Sequence, residues 1–127
     1  RPAHVARATL EAIALQVGDV LDAIAADLGI DLPELSIDGG AARNALLAQL
    51  LADLTGRAIV RPEIAEASAL GVARMAADAL GLADSGATAA ADRFEPTLAE
   101  DAREAIRGNW RESIADAVMR ANRAPPG

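Results

Sequence analysis

From His4 to Leu28 apolar residues recur at spacings of three and four: Ala6, Leu10, Ile13, Val17, Leu21, Ile24 and Leu28. That period predicts one long helix with these residues on a single face and Arg7, Glu11, Asp19, Asp22 and Asp27 on the other. Gly29 stands where a helix would be capped, and Pro33 forbids continuation. Glu34-Leu35-Ser36-Ile37-Asp38 alternates apolar and polar and predicts a short strand, turned by Gly39-Gly40. From Ala41 to Thr55 the helical period returns through Leu47, Leu50, Leu51 and Leu54, and Gly56 stops it. Ala58-Ile59-Val60 predicts a second strand ended by Arg61-Pro62. A third helix of small residues (Ala69, Val72, Ala73, Ala76) is expected over about Ser68 to Leu80. Gly81 to Arg93 has no period and reads as a surface loop. Thr97-Leu98-Ala99-Glu100 has the form of a capping box, opening a last helix striped by Leu98, Ala102, Ile106, Trp110, Ile114 and Val118.

The predicted order is α-β-α-β-α-α, an α/β chain whose two strands should be parallel. Two parallel strands do not make a stable sheet, so the sheet is incomplete. Further strands lie upstream in a longer protein, or a second copy supplies them through the open edge. The opening Arg1-Pro2 fits a piece of a longer chain, and the closing Arg-Ala-Pro-Pro-Gly reads as a fraying terminus.

Composition narrows the function. The chain has 127 residues, room for one domain. Its hydrophobic fraction is 52 % but its aromatic fraction only 2 %, so the core is built from small side chains that pack closely and bury little area each. A net charge of −7, with scattered arginines, lacks the positive face a nucleic acid needs. Without cysteine, and with His4 as the single histidine, thiolate and histidine-cluster metal sites are excluded. No apolar run is long enough for a bilayer and no signal peptide is present, which reads as a soluble cytoplasmic domain without a membrane partner.

The stretch richest in candidate chemistry is Asp38-Gly39-Gly40-Ala41-Ala42-Arg43-Asn44. It lies at the carboxyl end of a predicted strand and the entrance of a helix, where ligands bind in open α/β sheets. Glycines let a backbone approach a ligand, the helix start offers free N–H groups, and the Asn44 amide can donate and accept as an adenine edge requires. The alternative is a plain strand–helix turn in which glycine only permits the bend. The spacing matches neither a dinucleotide fingerprint nor a phosphate-binding P-loop. His4 is read as a helix-entry residue, Trp110 as core, and Arg61 as structural although able to reach a phosphate. Glu63 and Glu66 have no evident partner for acid–base work.

Several motifs, in order, resemble the FGGY family of carbohydrate kinases. His4-Val5-Ala6-Arg7-Ala8-Thr9-Leu10-Glu11 fits the second half of the family signature. Asp38-Gly39-Gly40-Ala41 with Asn44, then Gln49, Ala52-Asp53 and Gly56, resembles the family's adenosine-binding segment. Arg61-Pro62-Glu63, Glu66, Ala69-Leu70-Gly71, Phe94-Glu95-Pro96 and Trp110 are similar to the glycerol-phosphorylating branch. Departures at Ala45, Leu46, Ala48 and Gly81-Leu82-Ala83 bear on packing and on the substrate. The resemblance implies a partial actin-like ATPase (ribonuclease H-like) domain over residues 1–127, the adenosine-binding side of the family's second domain, without the catalytic first domain. It implies ATP or ADP as ligand, with Gly40 and Ala41 presenting backbone to the adenosine and phosphate region, Asn44 contacting adenine and Gly39 making the turn. Mg²⁺ ligands, the catalytic aspartate and the polyol or sugar site are then expected outside this chain. No catalytic residue is assigned, and the chain alone is expected to be inactive. A non-catalytic α/β module assembling as a homo-oligomer through its sheet edge is the competing reading.

Overall fold

The computed structural model describes residues 1–63, 72–73, 75–77, 79–82 and 90–123. Helix α1 (Pro2–Leu28) opens with proline in its first turn and closes on Gly29. Strand β1 (Glu34–Ser36) leads through a 3-10 turn (Ala41–Arg43) into α2 (Ala45–Thr55), followed by β2 (Ala58–Pro62). After them come β3 (Ala91–Phe94) and α3 (Glu100–Arg123). Between β2 and β3, Val72, Ala73, Met75, Ala76, Ala77 and Ala79 are helical, as expected; Ser68 to Gly71 and Glu66 lie outside the described residues.

The sheet has three strands in the order β1-β2-β3. β1 runs parallel to β2, pairing Leu35 with Ile59, and β3 runs antiparallel, pairing Arg61 with Asp92 and Ile59 with Phe94. This corrects two expectations. The sheet is mixed, and Ala91 to Arg93 form a strand where a loop was expected. β3 lacks apolar alternation because ion pairs fix its place. Arg61 binds Asp92, and Arg93 reaches Glu34 on β1 and Glu95 just beyond its own strand. The observed order therefore carries one more strand than α-β-α-β-α-α.

The core is centred on α2. Leu47, Ala48, Leu50, Leu51, Ala52 and Leu54 are all buried, against Ala14 and Leu15 of α1 and Ile59 of β2. A helix apolar on nearly every side must be covered on every side. Leu98 and Trp110 of the last segment, with Phe94, pack on the same cluster. On α1 the buried face is Ala14, Leu15, Gly18 and Leu21, which shares only Leu21 with the expected stripe. Ile13, Ile24 and Leu28 are exposed, while Leu10 and Val17 are only partly buried. Small residues decide this: Ala14 and Gly18 let neighbouring elements approach more closely than an Ile-bearing face would. On α3, Ile106, Ile114 and Val118 are likewise exposed, and the buried residue is Arg107.

Two polar clusters tie the helices. Arg107 Nη2 donates to Asp22 Oδ2 at 2.5 Å, Arg57 Nη2 donates to Asp22 Oδ1 at 3.0 Å, and Trp110 Nε1 donates to Asp19 Oδ2 at 2.8 Å. In the second cluster Asp53 Oδ1 accepts from Thr97 N at 2.6 Å, Thr97 Oγ1 at 3.0 Å, Leu98 N at 3.3 Å and Gln49 Nε2 at 3.1 Å. The capping box expected at Thr97 is thus replaced by a carboxylate from another helix. Helix α3 starts only at Glu100, which leaves the Thr97 hydroxyl outside it and facing Asp53. Arg103 Nε donates to Asp53 O at 2.8 Å and lies so close to Gly56 that a Cβ there would stand 2.7 Å from its Nη1. Gly56 also has φ +70°, so both backbone and space require glycine.

Burial alone would raise the carboxyls of Asp22 and Asp53, but the donors around them prevail and hold both below their ordinary value of 3.8. Each therefore contributes stability above the unfolded value and loses it as pH falls through the lowered folded value. Thermal unfolding followed against pH should show an acid limb below about pH 4, shallower in Asp22→Asn. Asp22→Ala leaves the buried Arg107 only its longer contact with Asp19, at 3.6 Å. Since Asp22 is 40 % exposed, solvent screens the pair, and the expected loss is about 1–3 kcal/mol by urea unfolding. Gly56→Ala should cost about 1–2 kcal/mol or more in the same assay, from the left-handed backbone and the Arg103 clash.

Candidate functional site

β1 and β2 are parallel, so their carboxyl ends emerge on one side, and the 3-10 turn lies there. A cleft of about 500 Å³ opens between them, lined among others by Asp38, Gly39, Arg43, Arg61, Glu63 and Asp92. Ile37 N donates to Val60 O at 2.9 Å, which carries the β1–β2 pairing one residue past the strand, to the threshold of the glycines.

Gly39 has φ +93°, a conformation that favours glycine, and its N–H donates to Asp38 Oδ1 at 2.6 Å. Gly40 begins the 3-10 turn with ordinary helical dihedrals, so its glycine is not required by φ. What it offers is room: a Cβ on Gly39 or Gly40 would meet nothing within 4 Å. The turn is closed by Ala42 N to Gly39 O, Arg43 N to Gly40 O and Asn44 N to Ala41 O, at 3.1, 3.3 and 3.1 Å. The N–H groups of Gly40 and Ala41 donate to nothing among the described residues. They are the orphan donors of a helical start.

Asn44 is not one turn inside a helix as expected. It is extended (φ −78°, ψ 104°) and caps α2, its Oδ1 accepting from Leu46 N at 3.0 Å and Leu47 N at 3.3 Å. Both lone pairs of that oxygen are used, so the amide does not both donate and accept toward a ligand. Its Nδ2 makes no hydrogen bond among the described residues and remains the available donor.

The structure therefore brings Gly39, Gly40, Ala41 and Asn44 together on one exposed turn; of these only Gly39 lines the cleft. Gln49, Asp53 and Gly56, grouped with this segment in the sequence, instead hold the chain between β3 and α3 and end α2. His4 is exposed on α1. Glu63 lines the cleft, its N–H donating to Ala90 O at 2.8 Å.

Sequence reasoning gave Arg43 and Asp92 no role and read Arg61 as structural although able to reach a phosphate. Arg43 lines the cleft, and its guanidinium has no partner among the described residues. Arg61 donates from Nε and Nη2 to Asp92 Oδ2 at 3.2 and 2.6 Å, and from Nη1 to Ala42 O and Arg43 O at 2.9 and 3.2 Å. Its Cζ sits 5.2 Å from the centre of the Phe94 ring. Only the β2–β3 register reveals the Arg61–Asp92 pair, 31 residues apart in the chain. Among the described residues no group of three or more His, Cys, Asp or Glu could hold a metal ion, and no helix is long and apolar enough to cross a membrane.

Comparison with known proteins supplies the family. The C-terminal domain model of the FGGY family of carbohydrate kinases matches residues 1–80. The glycerol kinase of Dechloromonas aromatica is 49 % identical over 125 residues, covering 94 % of this chain and 25 % of that protein. The glycerol kinase of Bordetella parapertussis is 50 % identical over 117 residues, covering 88 % and 23 %. The crystal structure of Plasmodium falciparum glycerol kinase with ADP superposes with a TM-score of 0.80 at 26 % identity, over 89 % of this chain and 24 % of that one. The chain thus spans about a quarter of the length of the relatives it matches. With the family model matched over residues 1–80 and relatives about half identical over most of its length, this chain belongs to the FGGY family of carbohydrate kinases.

Proposed function

We propose that this chain is the adenosine-binding side of a cytoplasmic, ATP-dependent polyol kinase of the glycerol kinase type. In that reading residues 1–127 are part of an actin-like ATPase domain, and the catalytic first domain belongs to another part of the polypeptide. The observation that carries the reading is the exposed Gly40–Ala41 turn, with unpaired N–H groups and open space above it, beside a cleft at the carboxyl ends of parallel strands.

The charge of the cleft indicates which end of the nucleotide it suits. Asp38, Glu63 and Asp92 line it against Arg43 and Arg61, and Arg61 is already paired. Arg61 and Asp92 neutralise each other, so among the described lining residues Arg43 is the cation left to meet a ligand, too little for a triphosphate but no obstacle to an uncharged nucleoside. Adenosine is therefore the portion assigned to this side. Gly40 N–H, Ala41 N–H and Asn44 Nδ2 are the donors this chain offers it. A ring nitrogen of adenine is the acceptor that suits Asn44, because its oxygen is committed to the helix cap.

Phosphoryl transfer needs nucleotide, metal and acceptor held in line. Mg²⁺ would neutralise phosphate charge, and no residue described here is assigned to it. Gly39 to Asn44 would hold the base and sugar, leaving the phosphates and the acceptor hydroxyl to groups elsewhere in the polypeptide. The glycerol kinases among the relatives make glycerol the first substrate to test.

Titration of the ¹⁵N-labelled chain with ADP should shift the amides of Gly39 to Asn44 first. A dispersed spectrum in which those amides stay still at saturating ADP would remove the assignment. The chain alone, given ATP, Mg²⁺ and glycerol, should release no ADP in a coupled assay. Turnover there would mean that the catalytic groups lie within these 127 residues.

A further inference from the structure

The turn that carries the candidate donors has little to hold it in shape. Its three hydrogen bonds are of the weak i→i+3 kind. It follows two glycines, and Ala42 alone of its three residues is buried. The Asn44 cap adds a further deficit. In a continuous helix Leu46 N–H and Leu47 N–H would bond the carbonyls of Ala42 and Arg43; here both donate to Asn44 Oδ1. Those carbonyls would be left to solvent, and Arg61 Nη1 takes both.

We propose that Arg61 is a positioning residue for the nucleotide, clamping the 3-10 turn so that Gly40, Ala41 and Asn44 present their donors in one conformation. The inference rests on the adenosine reading above. Arg61 is suited to the role because it is itself held at its other end. Asp92 takes Nε and Nη2, the Arg61–Asp92 register is fixed by strand pairing, and Phe94 lies under the guanidinium. With donors on all three nitrogens engaged, the side chain is not the phosphate ligand that its place in the sequence allows. The clamp also makes β3 part of the site, since without Asp92 the arginine has no anchor. Lysine cannot replace it: a single ammonium does not span a carboxylate and two carbonyls.

The test reads the clamp with and without nucleotide. In the absence of ADP, Arg61→Ala should accelerate hydrogen exchange at Ala42, Arg43 and Asn44 while α2 core amides keep their protection. With ADP, measured well below the unfolding temperature, its affinity should fall about tenfold, as follows when the competent conformer drops to roughly a tenth of the population. Arg61→Lys should not restore it. Asp92→Asn, which keeps the arginine, should lie between, and serves alone if Arg61→Ala does not fold. A purely structural role would lower the melting temperature and leave exchange at the turn and ADP affinity unchanged; that pattern overturns the proposal. If the wild-type chain shows no ADP-dependent shift, the adenosine reading fails and the nucleotide role of Arg61 with it. The exchange result still decides independently whether the clamp exists.

Discussion

The described elements of this chain are arranged around the need to cover an eleven-residue helix that is apolar on nearly every side. Past its exposed first turn α2 is buried on nearly every side, and the polar residues on it and at its ends shape its start or hold the elements that cover it. Asn44 begins it and shapes the candidate site. Gln49 and Asp53 hold the segment between β3 and α3 against its side. Arg57, just past its end, binds Asp22 of α1 and the Leu32 carbonyl. The arrangement uses leucine and alanine for burial and long-range hydrogen bonds for orientation. With one phenylalanine, one tryptophan and no tyrosine, few large side chains are available to set the relative positions of the elements by shape.

That division of labour explains what the sequence made legible. Burial by period is a local property, so α1, α2, β1 and β2 could be read from spacing, and the glycine turn from its composition. Orientation by hydrogen bonds is not local. β3 reads as Ala-Asp-Arg-Phe, with no alternation, and its place is marked by pairing with β2, by Phe94 on the core and by ion pairs with Arg61 and Glu34. Asp53 replaces the expected capping box because its carboxylate arrives from 44 residues away. The rotated face of α1 has a different cause. The Ile-rich stripe is the stronger signal in the sequence, while Ala14 and Gly18, which carry little hydrophobic weight, permit the close approach of other elements.

The site shows the same pattern. Gly39, Gly40, Ala41 and Asn44 were recognisable because backbone access and helix starts leave local marks. The arginine that joins their turn to the sheet was not. Its meaning depends on two carbonyls freed by the Asn44 cap and on a carboxylate supplied by a strand the sequence hides. Side chains that shape a site from behind are harder to read than those that face a ligand, because their partners are scattered along the chain.

The lone tryptophan has a practical consequence. Trp110 sits on α3 with its indole N–H bonded to Asp19 of α1, and no tyrosine contributes a second emitter. Intrinsic fluorescence of this chain is thus a local optical gauge of how α3 lies on α1. Because the Trp110 ring also packs on the leucine core of α2, it senses the seam where the last helix meets that core. An emission change without a matching loss of helical circular dichroism would mark the last helix lifting away while the rest of the fold persists.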